Sequence, residues 1–469
     1  MAEMDKEEAF KAIDEQREQL CALSDAIWDF AETGYHETKS SRAVQDYLGE
    51  RGFDISAHLT GISTAFKASF GSGRPKIGIL GEFDALSGMD QQPESDEALG
   101  GKKIPAAAHG CGHNLLGVGS VAAALAIKRY LVASGTPGSV VYYGCPAEEE
   151  GSGKTFLARD GAFSDLDCAL SWHPDDRNSA VVRPNLANAK YLYRFTGKSA
   201  HAAISPHLGR SALDAVELMN VGANYLREHV IPEARFHYAV TNSGGDAPNV
   251  VQQRAEVVYL IRAPFVEQVN EIVERIHDVA QGAALMTGTI LEIDFIKACS
   301  NLVPNWTLQR AIHQNFLDLT EEIFSIDDIR YAERIRRSID DCEIADDAIA
   351  SKIEPFKKVA GISPSSSDVG DVSQLCPVGL ADIATWVPGT QYHSWQAVVQ
   401  GKSSIAHQEL LRAGKVLAGT AIDLFKSQAL LKKAKREFMK GINKKKYQCP
   451  IPANAMPRID RYETPLDAP

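Results

Sequence analysis

Apolar positions recur at helical spacing through Leu20, Leu23, Ile27 and Phe30, and again through Val44, Tyr47 and Leu48. This pattern predicts two helices between residues 7 and 48. Between them, Glu32-Thr33-Gly34-Tyr35-His36-Glu37 reads as a loop. From residue 76 the texture changes. Residues 76–81 form a short apolar run behind a Gly-Ser-Gly-Arg-Pro turn, and residues 139–144 and 168–172 are similar runs. Helical patterns at 117–131, rich in small residues, and at 154–160 separate them. Strands alternating with helices predict an α/β fold, a mainly parallel sheet sandwiched by helices.

The pattern changes again near residue 186. Strand-type segments at 190–196, 236–241, 255–262 and 289–295 are interleaved with amphipathic helices at 211–229 and 266–285. The order β-α-β-β-α-β is that of a ferredoxin-like α+β module. The expected division is therefore 1–185 for the first part of the main domain, 186–298 for an inserted domain, and 299–469 for the rest of the main domain. In the last part, helices resume at 306, and 324–353 reads as a charged helical decoration. A final core strand is expected at 382–387, a long helix at 405–430, and its lysine-rich continuation at 432–446.

With 49 basic and 61 acidic residues the net charge is −12. That argues against a nucleic-acid partner, which needs a basic surface, and leaves a small acidic ligand open. No apolar run is expected to reach the roughly 18 residues that span a bilayer, so no membrane partner is expected. The charged Met1-Ala2-Glu3-Met4-Asp5-Lys6 has no signal-peptide core, which predicts a cytoplasmic location. Eight scattered cysteines without a CxxC pair do not form a disulfide framework.

Ligand-type residues cluster just after the apolar runs. Glu82 and Asp84 follow the first, Glu148 and Glu149 the second, and His173 the third. In an open α/β sheet, ligands sit outside the carboxyl ends of the strands. Cys111 and His113 come from an Ala/Gly-rich loop, and their i, i+2 spacing turns both toward one point. Thiolate, imidazole and carboxylate together suit zinc, with manganese an alternative. In the Glu148-Glu149 doublet one carboxylate binds metal and the other accepts a proton from water. The competing readings are a solvent-facing acidic triplet and a cysteine hydrolase using Cys145 or Cys111.

These segments resemble the co-catalytic metallopeptidase family (clan MH) that includes carboxypeptidase G, the aminoacylases and the auxin-conjugate amidohydrolases. The carriers are Gly81 to Leu86, Cys111-Gly112-His113, Pro146-Ala147-Glu148-Glu149, Gly197 to Ala202, Gly244 to Val251 and Ser367-Asp368-Val369-Gly370-Asp371. The likeness covers nearly the whole chain. It is closest in the amidohydrolase branch, around the p-aminobenzoyl-glutamate hydrolases and dipeptidase-like relatives. The resemblance implies two divalent metal ions, Zn2+ or Mn2+, held by Cys111, His113, Glu149, His173 and His393. It implies Glu148 as general base and Asp84 as the residue that orients a ligand.

The inserted domain becomes a lid, with His201 on the scissile carbonyl or the substrate carboxylate and Asn249 binding substrate. Arg262 is open between a substrate carboxylate and a sheet-face ion pair. A homodimer through the lid is implied, in which His201 serves either its own or the partner's site. The implied activity is amide hydrolysis of an N-acyl amino acid or dipeptide-like small molecule, such as p-aminobenzoyl-glutamate. Auxin conjugates, β-alanyl dipeptides and a non-catalytic metal-stapled protein are the alternatives. Glu82 stands where several branches have His and is not counted as a ligand, and Glu150 has no assigned role.

Overall fold

Residues 6–89, 106–180, 183–320, 323–339, 347–357 and 361–458 are described by the computed structural model of the chain. Twelve strands are present among them: β1 (Asp54–Ala57), β2 (Phe66–Ser72), β3 (Lys76–Glu82), β4 (Leu86–Ser87), β5 (Ala107–Ala108), β6 (Gly138–Cys145), β7 (Cys168–Asp175), β8 (Ala187–Thr196), β9 (Arg235–Asn242), β10 (Arg254–Ala263), β11 (Ile290–Cys299) and β12 (Val378–Ala384). The main sheet has the order β1-β2-β6-β3-β7-β12. The four strands from β6 to β12 run parallel, and β1 and β2 extend one edge antiparallel.

All eight residues of β6 are buried, as a parallel strand covered on both faces requires. Alternation divides the side chains of β3 and β6 between two cores. Ile77, Ile79, Val140 and Tyr142 face one core, and Leu80, Val141 and Tyr143 face the other.

The N-terminal region forms three helices, α1 (Lys6–Asp14), α2 (Arg17–Phe30) and α3 (Thr38–Glu50), where the apolar spacing predicts two. Helix α4 (His113–Ser134) crosses the main sheet. Its Ser120 hydroxyl donates to the Leu80 carbonyl at 2.7 Å, and the Trp172 indole on β7 donates to the Leu116 carbonyl at 3.0 Å. α4 has the length and hydropathy of a membrane span, which corrects the expectation that no run reaches that size. Of its most apolar 18-residue window 83% is buried in the protein core, where α1 and the later helix Ser404–Lys426 pack on it.

The short helices α5 (Glu148–Gly151) and α6 (Gly153–Arg159) follow β6. The second sheet, β11-β8-β10-β9, is antiparallel throughout and carries α7 (Ala212–Leu226) and α8 (Val266–Thr287). Strand order and connectivity are those of a ferredoxin-like unit. The core that lies behind Leu80 and Val141 continues into this sheet through Tyr193, Phe195 and Val257.

The chain then returns through α9 (Trp306–Asp318), α10 (Ile326–Arg336), α11 (Val369–Ser373), β12, α12 (Trp395–Gln400), α13 (Ser404–Lys426) and α14 (Gln428–Gly441). Three expectations shift here. α10 is not only a solvated decoration, because Ala332 and Ile335 pack with Val387 and Ile405. The last core strand lies four residues earlier than its predicted start, at Val378–Ala384. The long helix stops at Lys426, where the Ser427 hydroxyl accepts the Leu430 N–H and starts a new helix.

Asp371 fastens the return to the main sheet. Its buried carboxylate accepts from the Ser300 N–H (2.9 Å), the Ser300 hydroxyl (2.6 Å), the Thr155 hydroxyl (2.7 Å) and the Tyr447 hydroxyl (2.8 Å). Four segments distant in sequence meet at one side chain. Asp371→Ala strands these buried donors, each worth about 1–3 kcal/mol when unsatisfied. We expect it to lose at least about 3 kcal/mol in urea unfolding. An unchanged unfolding midpoint would count against this role.

Candidate metal centre

The carboxyl ends of β3, β6 and β7 open onto one cluster, as the strand alternation predicts. β3 ends with Glu82 and leads to Asp84. β6 leads through Pro146 and Ala147 into α5, which begins with Glu148 and Glu149. His173 lies inside β7, opposite Asp382 of β12, and not beyond the strand end. The loop before α4 supplies Cys111 and His113. His393, on a left-handed residue (φ 58°), is brought in when its N–H donates to the Gly110 carbonyl at 3.0 Å.

Three groups of donor atoms lie within 4.8 Å of one another: Cys111, His113 and His173; Cys111, Glu149 and His393; and Glu82, His113 and Glu148. The first two share Cys111. All five residues expected to bind metal are therefore together. Glu82, left out of that set, joins them, with its Oε2 3.2 Å from His113 Nε2. Glu150 does not, since it accepts from the Ser87 hydroxyl at 3.0 Å.

Asp84 organises the cluster from behind. Its Oδ1 accepts from His113 Nδ1 at 2.9 Å and its Oδ2 from the Glu149 N–H at 3.0 Å. The first contact orients the imidazole through Nδ1 and leaves Nε2 facing the cluster. His173 is set in the same way, with Nδ1 donating to the Pro174 carbonyl at 2.7 Å and Nε2 3.5 Å from Cys111 Sγ. Buried His113 Nε2 and Glu149 Oε1 have no hydrogen-bond partner among the described residues. Buried polar atoms normally find one, so an orphaned imidazole nitrogen and carboxylate oxygen beside a thiol are a donor set that fits a metal ion.

The two glutamates of the doublet differ electrostatically. Burial pushes Glu148 up to about 8, helped by Glu82, Asp368 and Glu149. Burial also acts against charge on Glu149, but His393, its Nε2 3.5 Å from Glu149 Oε1, and the His113 charge hold it down to about 2. Burial disfavours charge on His113, yet Asp84 and Cys111 outweigh it and hold the imidazole well above its ordinary range.

One cation is built into this site and was not anticipated from the sequence. Lys154 is fully buried, with Nζ 2.7 Å from Glu82 Oε1 and 2.7 Å from Asp368 Oδ1. Its own N–H donates to Asp368 Oδ2 at 2.8 Å. The available signal was indirect: Asp368 sits in a Ser/Gly-rich segment with a second aspartate three residues on. Lys297 of β11 adds a further tie, donating to the Glu149 carbonyl at 2.7 Å.

Two neighbours of the Cys111–His113 loop and the rival nucleophile Cys145 take different places. The His109 imidazole hydrogen-bonds the Ile27 carbonyl at 3.0 Å, and its burial holds it down to about 3, as a structural histidine. Asn114 donates to the Ser24 hydroxyl and the Gly401 carbonyl. Cys145 is fully buried, its thiol donates to the Tyr143 carbonyl, and burial pushes it far above the ordinary thiol range, so it is a poor nucleophile.

His201 and Asn249 are exposed and sit on neighbouring loops, joined where the Ala202 N–H donates to the Asn249 carbonyl at 2.9 Å. His201 Nδ1 accepts from the N–H groups of Ala203 and Ile204. Arg262 makes no sheet-face ion pair among the described residues; its Nη1 donates to the Pro364 carbonyl at 3.1 Å. Among the described residues, none of the three hydrogen-bonds to the donor cluster.

Residues 185–285 match the M20 peptidase dimerisation domain. The chain is 41% identical over 471 aligned residues to one of the p-aminobenzoyl-glutamate hydrolase subunits of Escherichia coli (strain K12), covering 95% of this chain and 97% of that one. It is 31% identical to the Xaa-Arg dipeptidase of Mus musculus, covering 93% and 92%. Among solved structures, the fold is shared with an aminobenzoyl-glutamate utilization protein from Klebsiella pneumoniae (TM-score 0.57, 17% identity, 86% of this chain and 98% of that one). It is shared also with a dinuclear metal binding peptidase of the M20 family from Bacillus subtilis (TM-score 0.55, 15% identity, 88% and 99%).

Lys154→Met leaves Glu82 and Asp368 buried without their cation. Breaking a buried pair in this way costs about 3–5 kcal/mol, which we expect as a lower thermal midpoint. Lys154→Met/Asp368→Leu removes both charges of one pair and should recover part of the loss. A Lys154→Met protein as stable as wild type would contradict the assignment.

Proposed function

The chain belongs to the M20 peptidase family, and from that premise we infer that it is a metal-dependent amidohydrolase. It cleaves the amide bond of an N-acyl amino acid or dipeptide-like substrate with a free carboxylate, p-aminobenzoyl-glutamate being the leading candidate. The observation that carries this reading is the convergence of thiol, imidazoles and carboxylates on one sheet edge, in a chain 41% identical throughout to a hydrolase of that substrate class.

On this reading Cys111, His113, Glu149, His173 and His393 would hold two divalent ions. The mixed donor set suits zinc, and manganese is the alternative. When bound, the ions polarise the substrate carbonyl and acidify a water molecule. Glu148 is the general base: it takes the proton from the attacking water and returns it to the leaving amine. Its raised proton affinity fits that exchange, whereas Glu149, held ionised, fits a ligand. Asp84 orients His113 through Nδ1.

The unit built on the second sheet acts as lid and dimerisation module. His201 stabilises the oxyanion, in its own site or that of the partner protomer, and Asn249 binds substrate. Arg262, anchored at Pro364, receives the substrate carboxylate.

Two experiments test this. Glu148→Gln should retain its metal and lose at least about a hundredfold in turnover of p-aminobenzoyl-glutamate, the lower scale of general-base effects; near-wild-type turnover would sink the base assignment. Chelation with EDTA should abolish activity, with recovery on adding zinc or manganese, and Cys111→Ser should bind less metal by elemental analysis. Activity that survives chelation would point to a cysteine hydrolase. The assay uses the purified single chain and includes Xaa-Arg dipeptides, N-acetyl amino acids and auxin conjugates, so that a merely metal-stapled protein would show no turnover of any.

A further inference from the structure

The loop at residues 32–37 reads in the sequence as a connection between helices. In the fold it grips the segments that carry Asp84 and Glu148. The Ala85 N–H donates to the Glu32 carbonyl at 2.8 Å, and Thr33 bridges to Ala85 in parallel. Glu37 Oε1 accepts the Ala147 N–H at 2.8 Å, the peptide just before Glu148. The Tyr35 hydroxyl donates to the Gly151 carbonyl at 2.8 Å, at the last residue of α5. A Cβ on Gly34 would lie 3.0 Å from Ala147 Cβ, and one on Gly151 only 2.4 Å from Tyr35 Cε2. The loop therefore holds both ends of α5, with side chains that are themselves buried: Glu37 is 0% exposed and Tyr35 3%.

α5 needs such support. It has four residues, and a single helical turn is unfavourable by itself because nucleation fixes many dihedrals for little hydrogen bonding. It is also bounded by two non-glycine residues in the left-handed region, Ala147 (φ 56°) and Ser152 (φ 54°). Such residues cost about 1–3 kcal/mol each and persist only where the surroundings enforce them. Neither Tyr35 nor Glu37 belongs to the donor groups of the centre.

We propose that Tyr35 and Glu37 are positioning residues that clasp the Glu148–Glu149 turn and so set the direction of the base relative to the metal ligands. The proposal rests on the reading of Glu148 as general base. Misplacing a reacting group by about 1 Å can cost on the order of a hundredfold in rate, so a clasp of two hydrogen bonds has a measurable kinetic effect.

The test is a variant series on the metal-loaded enzyme with p-aminobenzoyl-glutamate. Tyr35→Phe removes the bond to Gly151 and keeps the ring, Glu37→Ala removes the acceptor for Ala147, and Glu37→Gln keeps an acceptor oxygen. Tyr35→Phe and Glu37→Ala should each lower kcat about tenfold or more, with KM and metal content near wild type, and Glu37→Gln should restore most of the loss. If the clasp acts through Glu148, adding Tyr35→Phe or Glu37→Ala to Glu148→Gln causes little further loss, because residues acting as a unit are not additive.

Wild-type kcat in both single variants overturns the proposal, as does full additivity with Glu148→Gln. A fall in Glu37→Gln equal to that in Glu37→Ala, accompanied by lost metal, also overturns it. Should Glu37→Ala fail to fold, Tyr35→Phe alone and with Glu148→Gln gives the same decision. Near-normal turnover in Glu148→Gln by itself refutes the base assignment, which is a different result from failure of the clasp.

Discussion

Concentrated negative charge in a poorly solvated place is the constraint around which this protein is arranged. Glu82, Asp84 and Asp368 are buried, and Glu148 and Glu149 are partly so, all around the carboxyl ends of the parallel strands. Carboxylates this close cannot all ionise without compensation. The structure compensates each in a different way. Lys154 neutralises Glu82 and Asp368 directly. Asp84 directs its two oxygens to His113 and the Glu149 peptide. Glu149 is held ionised by histidines, and Glu148 keeps its proton to higher pH. The same imbalance leaves unpartnered polar atoms on His113 and Glu149 facing Cys111, where cations fit.

Such an arrangement is intolerant of slack, and the backbone reflects that. The residues entering and leaving the Glu148–Glu149 turn, and His393 itself, occupy left-handed conformations without being glycine. Strain of this kind persists where packing over-determines it. Here the over-determination comes from several directions: the loop at 32–37, Asp84, and Lys297 reaching in from the second sheet. The second sheet is thus tied into the site through β11 as well as through a shared apolar core, while its His201 and Asn249 loops stay exposed.

Much of this was legible beforehand. Alternating strand and helix patterns announced the parallel sheet and the β-α-β-β-α-β insertion, because burial on two faces or one imposes its period directly on the chain. Glu149 and His173 stood out as candidates because ligand-type residues follow apolar runs, although His173 proves to lie inside its strand, and Cys111 and His113 because their i, i+2 spacing in a small-residue loop turns both one way. Less legible were β1, a short edge strand, β2, which joins it to β6 with weak alternation, and the split of the first helix into α1 and α2. Glu82 and Glu150 looked alike in sequence, and only their neighbours separate them: Glu82 faces Lys154 and His113, Glu150 faces Ser87.

The sequence by itself determined the secondary-structure periodicity, the chemistry of the donor residues and the edge of the sheet they share. These follow from local spacing and side-chain type. The tertiary structure alone decided which carboxylate is paired with a buried lysine, which imidazole nitrogen is left free, and how a loop near the N-terminus holds a turn more than a hundred residues away. Those outcomes depend on contacts between distant segments, and charge in a low-dielectric interior takes its behaviour from the nearest few ångströms and not from neighbours along the chain.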